Sequence, residues 1–153
     1  MRPWLISGLT LMGDQLTKAM IMASLTPGQS LPLLPHVLHV TYVQNTGAAF
    51  GLFKGQQLVF IVFSIIVIGW MVRELLAKPT IDGILRWACA LLLGGATGNL
   101  IDRLRFGYVV DFIDLRVWPV FNVGDSAITI GVTLLLLGQF SHFRRFRLFR
   151  HDH

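Results

Sequence analysis

The sequence predicts a mainly α-helical integral membrane protein. It should have four transmembrane helices and a small extracytoplasmic β-sheet with its loop between spans one and two. Three observations lead there. The 153 residues are 54% hydrophobic with a mean hydropathy of +0.64. Only 14% are charged, where a soluble domain has about a quarter. The apolar residues collect into four runs long enough to cross a bilayer, which takes about 20 residues each.

The first run, Trp4–Leu25, carries Asp14 and Lys18. Their i, i+4 spacing with the acid N-terminal is the favourable order for a pair on one helix face. The opening "MRPWLISGLTLMGD" has the basic start and apolar run of a signal peptide, but apolar character resumes after Lys18 and no clear cleavage site follows. It is read as a retained helix. The stretch "VLHVTYVQ" (Val37–Gln44), rich in β-branched and aromatic residues and bounded by Pro35 and Asn45–Gly47, predicts a strand entering a turn. Pro27, Gly28, Pro32 and Pro35 lie in its approach. The second span covers Gln56–Val72, the third Ile84–Ile101 and the fourth Ser126–Phe143. One domain, 1–153, is expected.

Charge placement sets the direction. Arg2, Arg73, Lys78, Arg86 and the tail arginines Arg144, Arg145, Arg147 and Arg150 fall on one side; Lys54, Arg103, Arg105 and Arg116 fall on the other. The positive-inside rule puts both termini in the cytoplasm. The net charge of +5 would raise nucleic acid as a partner in a soluble protein. Here the terminal "RRFRLFRHDH" follows an apolar run and reads as a topogenic tail touching anionic lipid. The single cysteine, Cys89, excludes an intramolecular disulfide, and in mid-span it should stay a protonated, idle thiol. No metal site and no cofactor are expected.

With this topology the polar residues gather at the outer face. Lys18, Asn99, Asp102, Arg103 and Asp125 sit toward the outer ends of spans, and Asp111 and Asp114 lie in the loop joining spans three and four. Ionisable residues there mark a functional site by default. Asp102 and Arg103 also suit interface anchors, and Gly94, Gly95, Ala96 and Gly98 suit close helix packing. Asp125 starts an apolar helix with no basic residue nearby, and a second carboxylate beside it would share one proton. One acid then activates water while the other donates to the attacked carbonyl. Spacing alone does not choose the partner: Asp111 and Asp114 share a face in a helix and oppose in a strand.

Five ordered stretches, "DQLTK" (Asp14–Lys18), "NTGAAFG" (Asn45–Gly51), "GGATGNLIDR" (Gly94–Arg103), "GYVVDFID" (Gly107–Asp114) and "FNVGDSAI" (Phe121–Ile128), make the chain resemble signal peptidase II, the bacterial prolipoprotein signal peptidase. One departure is Gly124, where the family often has Ala. The resemblance implies an aspartic endopeptidase of the inner membrane that removes the signal peptide from diacylglyceryl-modified prolipoproteins, cutting before the lipidated cysteine. It implies Asp111 and Asp125 as the catalytic pair and Asn45, Gly95, Asn99, Arg103 and Asn122 as substrate-binding. Asp14 and Lys18 would be supports, and Ala48 and Phe50 would belong to a flap that closes over substrate. The expected partners are those prolipoproteins and membrane lipid, with no nucleic acid, and a monomer is expected. Two other readings remain: a small proton-coupled transporter, which would place acids near mid-bilayer, and a non-enzymatic assembly factor, which would tolerate Asp→Asn.

Overall fold

In a computed structural model, residues 3–47, 55–77 and 83–148 are described, with side chains up to 138. Helix α1 (Pro3–Ser24) opens on a proline, whose fixed φ suits a first helical turn. Strands β1 (Ser30–Leu34) and β2 (Leu38–Asn45) form an antiparallel hairpin. Helices α2 (Gln57–Ala77) and α3 (Gly83–Phe106) follow, then β3 (Val109–Asp114) and α4 (Val123–Leu148).

The sheet order is β1-β2-β3, all antiparallel. This corrects the expectation from sequence, which drew the sheet from the segment between the first two spans alone. The third strand comes from between α3 and α4, because β2 satisfies its second edge only by pairing across the chain with Val109–Asp114. The approach to β2 is itself the strand β1, with Pro32 on the sheet edge, where its missing N–H costs no ladder bond.

Helix bounds also differ from the hydropathy windows. α2 runs on to Ala77 and α3 to Phe106, since charged residues end an apolar window without ending a helix. α3 stops where Gly107, at φ +76°, takes the left-handed position and donates to the Arg103 carbonyl at 3.1 Å. α4 starts at Val123, three residues ahead of the expected span.

α3 is the central helix, packed against α1, α2 and α4. Its small residues allow the approach. A Cβ on Gly94 would sit 2.7 Å from the Ser7 carbonyl of α1, and one on Gly95 would overlap the Gly124 carbonyl of α4. Met71, Leu75, Cys89, Leu92 and Leu93 form an apolar cluster between α2 and α3. α2 and α3 are long and apolar enough to cross a membrane, and Val123–Gly138 is a shorter apolar stretch. Exposed Leu58, Phe63, Ile66 and Trp70 on α2 would meet lipid rather than water.

Candidate active site

Where a soluble protein of this size would have an apolar centre, α1, α3, β3 and α4 meet around a buried polar network. Lys18 is 1% exposed. Its three ammonium protons go to Asp14 Oδ2 at 2.8 Å, Asp102 Oδ2 at 2.9 Å and Asn99 Oδ1 at 2.9 Å. A buried charge is tolerable only when its hydrogen bonds are met in this way. Asp14 Oδ1 accepts from the Gly124 N–H at 2.7 Å, tying α1 to the start of α4. Asp102 Oδ2 also accepts from the Val110 N–H at 3.1 Å, tying α3 to β3. Gln15 Nε2 donates to Asp102 Oδ1 at 3.0 Å and to the Gly98 carbonyl at 3.2 Å.

Two further acids, Asp111 and Asp125, sit beside this network. In β3 successive side chains alternate, so Asp111 and Asp114 face opposite ways. Asp111 points to the cavity that Asp125 also lines, whereas Asp114 accepts from Thr41 Oγ1 at 2.7 Å and from Arg116. Asp111 Oδ2 accepts from Asn45 Nδ2 at 2.8 Å, and its Oδ1 from Asn122 Nδ2 at 2.7 Å. Asp125, in the first turn of α4, accepts from Asn99 Nδ2 at 2.8 Å and from the Asn122 N–H at 3.3 Å. Among the described residues neither acid has an ion pair within 4 Å; amides hold both.

Burial, reinforced by the charge of Asp125, pushes the Asp111 carboxyl up to about 7, although the hydrogen bonds from Asn45 and Asn122 and the Lys18 charge pull it down. Asp111 thus keeps its proton near neutrality. Asp114 is the opposite case. Burial raises it, but hydrogen bonds from Thr41 and Arg116 outweigh that and hold it below the usual carboxylate range.

Both acids open onto a cavity of about 860 Å³. Asn45, Asn99 and Arg103 share its wall near the acids. Its deeper wall is apolar, from Phe63 and Val67 on α2, Leu92 on α3 and Ile128 on α4. The Arg103 guanidinium lies 4.9 Å from the Phe60 ring centroid, and its Nε is buried without a hydrogen-bond partner among the described residues.

The residues singled out from sequence fall into four groups, the first being Asp14 and Lys18, which form the buried ion pair described above. Asp111, Asp125, Asn45, Asn99 and Arg103 meet at the cavity. Asn122 and Gly95 are off its wall: Asn122 is fully buried and bridges the acids from behind, and Gly95 lets α3 touch α4. Ala48 and Phe50 lie outside the described residues. Asp102 is no interface anchor; it is 1% exposed and bound to Lys18, and sequence reasoning missed its part in the network, as it missed that of Gln15. The available signal was spacing: Asn99 and Asp102 are i, i+3 on one face of α3, opposite the Asp14–Lys18 face.

Fold and site together define a small helical protein with membrane-type helices, a capping sheet and a paired-carboxylate cavity at their junction. The chain belongs to the signal peptidase II family: the model of that family, described as "Signal peptidase (SPase) II", matches residues 6–141. It is 48% identical over 134 residues to a lipoprotein signal peptidase of Moorella thermoacetica, covering 87% of this chain and 89% of that one. It is 46% identical over 124 residues to that of Halothermothrix orenii, covering 81% and 85%. A solved structure described as a bacterial membrane enzyme superposes with a TM-score of 0.85 at 35% identity, covering 91% of this chain and 87% of that one.

Proposed function

We propose that the protein is an aspartic endopeptidase that removes the signal peptide from diacylglyceryl-modified prolipoproteins, cutting before the lipidated cysteine. The observation that carries this is the delivery of Asp111 by β3 and Asp125 by α4 to one cavity, with amide donors on both and, among the described residues, no ion pair to either within 4 Å. A carboxyl with a pKa of about 7 beside a second carboxylate retains one proton across the pair at neutral pH.

The chemistry then needs nothing but water. The ionised carboxylate takes a proton from water as the water oxygen bonds to the scissile carbonyl carbon. The protonated one donates to the carbonyl oxygen, giving a tetrahedral diol. The C–N bond breaks as the cysteine nitrogen takes the proton from one carboxyl, while a diol hydroxyl gives its proton to the other carboxylate as the new acid's C=O forms, so the pair returns to its singly protonated state. The second amide protons of Asn45 and Asn99, and the guanidinium of Arg103 on the same wall, supply donors for the substrate backbone without adding a competing base.

The cavity suits a membrane-bound substrate. α2 and α4 both pack on α3, and the apolar wall of Phe63, Val67, Leu92 and Ile128 lies between them. A signal helix and its acyl chains would come sideways from the bilayer through this gap. In this reading all four helices span the inner membrane, both termini are cytoplasmic, the sheet lies at the outer face and a monomer suffices. The test is cleavage of a diacylglyceryl-modified prolipoprotein by purified protein. Asp111→Asn and Asp125→Asn should each lower kcat by about 10³ or more while the protein still inserts. Normal turnover in either variant would return the assembly-factor reading.

A further inference from the structure

One side of the cavity is walled by the segment between β3 and α4: Leu115, Trp118, Pro119, Val120 and Phe121 all line it. This stretch is no regular element, yet it is pinned at both ends. At its far end Phe121 bridges back to β3, exchanging N–H and carbonyl with Ile113 at 3.1 and 2.7 Å. At its near end Arg116 stands at φ +64°, a left-handed conformation rarely taken by a residue with a side chain. Such a conformation persists only where its surroundings over-determine it.

Asp114 supplies that determination. Its Oδ1 accepts from the Arg116 N–H at 2.9 Å and its Oδ2 from Arg116 Nη1 at 3.0 Å. The carboxylate is anchored in turn, since Thr41 Oγ1 donates to Oδ2 at 2.7 Å. That donation uses the only Thr41 hydroxyl proton, so Ser30 must be the donor in its 2.8 Å contact with Thr41, and His39 Nδ1 the donor to Ser30 at 3.1 Å. One directed chain thus runs from His39 of β2 to Ser30 of β1, back to Thr41 of β2 and on to Asp114. Asp114 is 5% exposed and faces away from Asp111, so it takes no part in the chemistry.

We propose that Asp114 is a positioning residue for the cleavage reaction: by holding Arg116 in its left-handed conformation it fixes the 115–120 segment as the wall against which the membrane-borne substrate is seated. This rests on the peptidase reading and adds to it a determinant of substrate affinity separate from the two acids. A rigid wall contacts ground and transition states alike, so its loss raises KM and leaves kcat in place.

The experiment is steady-state cleavage of a diacylglyceryl-modified prolipoprotein in one detergent by the wild type, Asp114→Ala, Arg116→Val, Arg116→Gly and Trp118→Ala. Asp114→Ala and Arg116→Val should raise KM about fivefold or more, with kcat within about twofold and the pH profile unmoved. Arg116→Gly should recover most of the affinity lost in Arg116→Val, because glycine adopts φ +64° freely. Trp118→Ala removes a wall side chain and leaves the tie intact, so it raises KM even if Asp114→Ala fails to fold. A wild-type KM in Arg116→Val, or a shifted pH profile in any of these variants, overturns the proposal. A wild-type protein that cuts nothing overturns the peptidase reading, and this inference falls with it.

Discussion

Asn122 and Asp125 cap each other. The Asn122 side-chain Oδ1 accepts from the Asp125 N–H at 2.8 Å, and Asp125 Oδ2 accepts from the Asn122 N–H at 3.3 Å. This is the reciprocal arrangement of a helix capping box, with the acid three residues after the cap. The same Asn122 amide donates to Asp111 at 2.7 Å, so one residue starts α4 and aligns both acids.

Asn122→Ala should therefore do more than remove a cap. A lost N-cap costs about 1 kcal/mol of stability. Loss of the donor to Asp111 removes one of the bonds that restrain its pKa, so the alkaline limb of the pH–rate profile should move upward. kcat should fall by about 10²-fold, since misplacing a reacting group by about 1 Å has that effect. Rates across pH 5–9 check both expectations.

The pH dependence of wild-type stability has a definite sign. Asp111 is raised from 3.8 to about 7 in the fold, so between those values the folded state binds more protons than the unfolded one. Stability from this group is full below about pH 4 and is lost as pH rises through 7. At roughly 1.4 kcal/mol per pH unit the loss is on the order of 4 kcal/mol. Thermal unfolding in detergent should show a lower Tm at pH 8 than at pH 5, and Asp111→Asn should flatten that slope. Cleavage should decline above about pH 7, as the pair gives up its shared proton.

Lys18→Met should destabilise by about 3–5 kcal/mol, because Asp14 and Asp102 would remain buried beside each other with no cation. Adding Asp14→Asn and Asp102→Asn to Lys18→Met should restore part of the loss. Chemical denaturation of the single and triple variants measures it. A triple variant less stable than Lys18→Met would contradict a network organised by the lysine charge.

Gly98→Ala should inactivate. A Cβ there would overlap Asp14 Oδ2, whose position is set by Lys18, and would force α1 away from α3. Gly13→Ala meets nothing within 4 Å and should be neutral or stabilising by up to about 1 kcal/mol, the helix-propensity gain. Comparing Tm and cleavage rate for the pair separates the close contact from the general effect of replacing a helical glycine.

Much of this is legible in the chain alone. Hydropathy marks the helices, because a bilayer-length apolar run shows in composition. Asp14 and Lys18 declare their pairing by spacing, and it forms at 2.8 Å. Five ordered motifs point to the family. Less is visible around Asp102, whose neighbours along the chain suggest a surface anchor. Its partners Lys18 and the Val110 N–H come from two other elements.

The sequence by itself determined the class of molecule and the chemical groups available, because both follow from local properties: apolar run length, helical spacing and residue type. Beyond the family resemblance, which named Asp111 without a physical reason, tertiary structure decided which acid stands with Asp125. Asp111 and Asp114 are equivalent by composition and nearly so by position. The choice came when Val109–Asp114 paired with β2, since strand alternation then sent Asp111 to the cavity and Asp114 to Thr41. That pairing joins residues more than sixty positions apart, and no local pattern in the chain encodes which strand edge another segment will find.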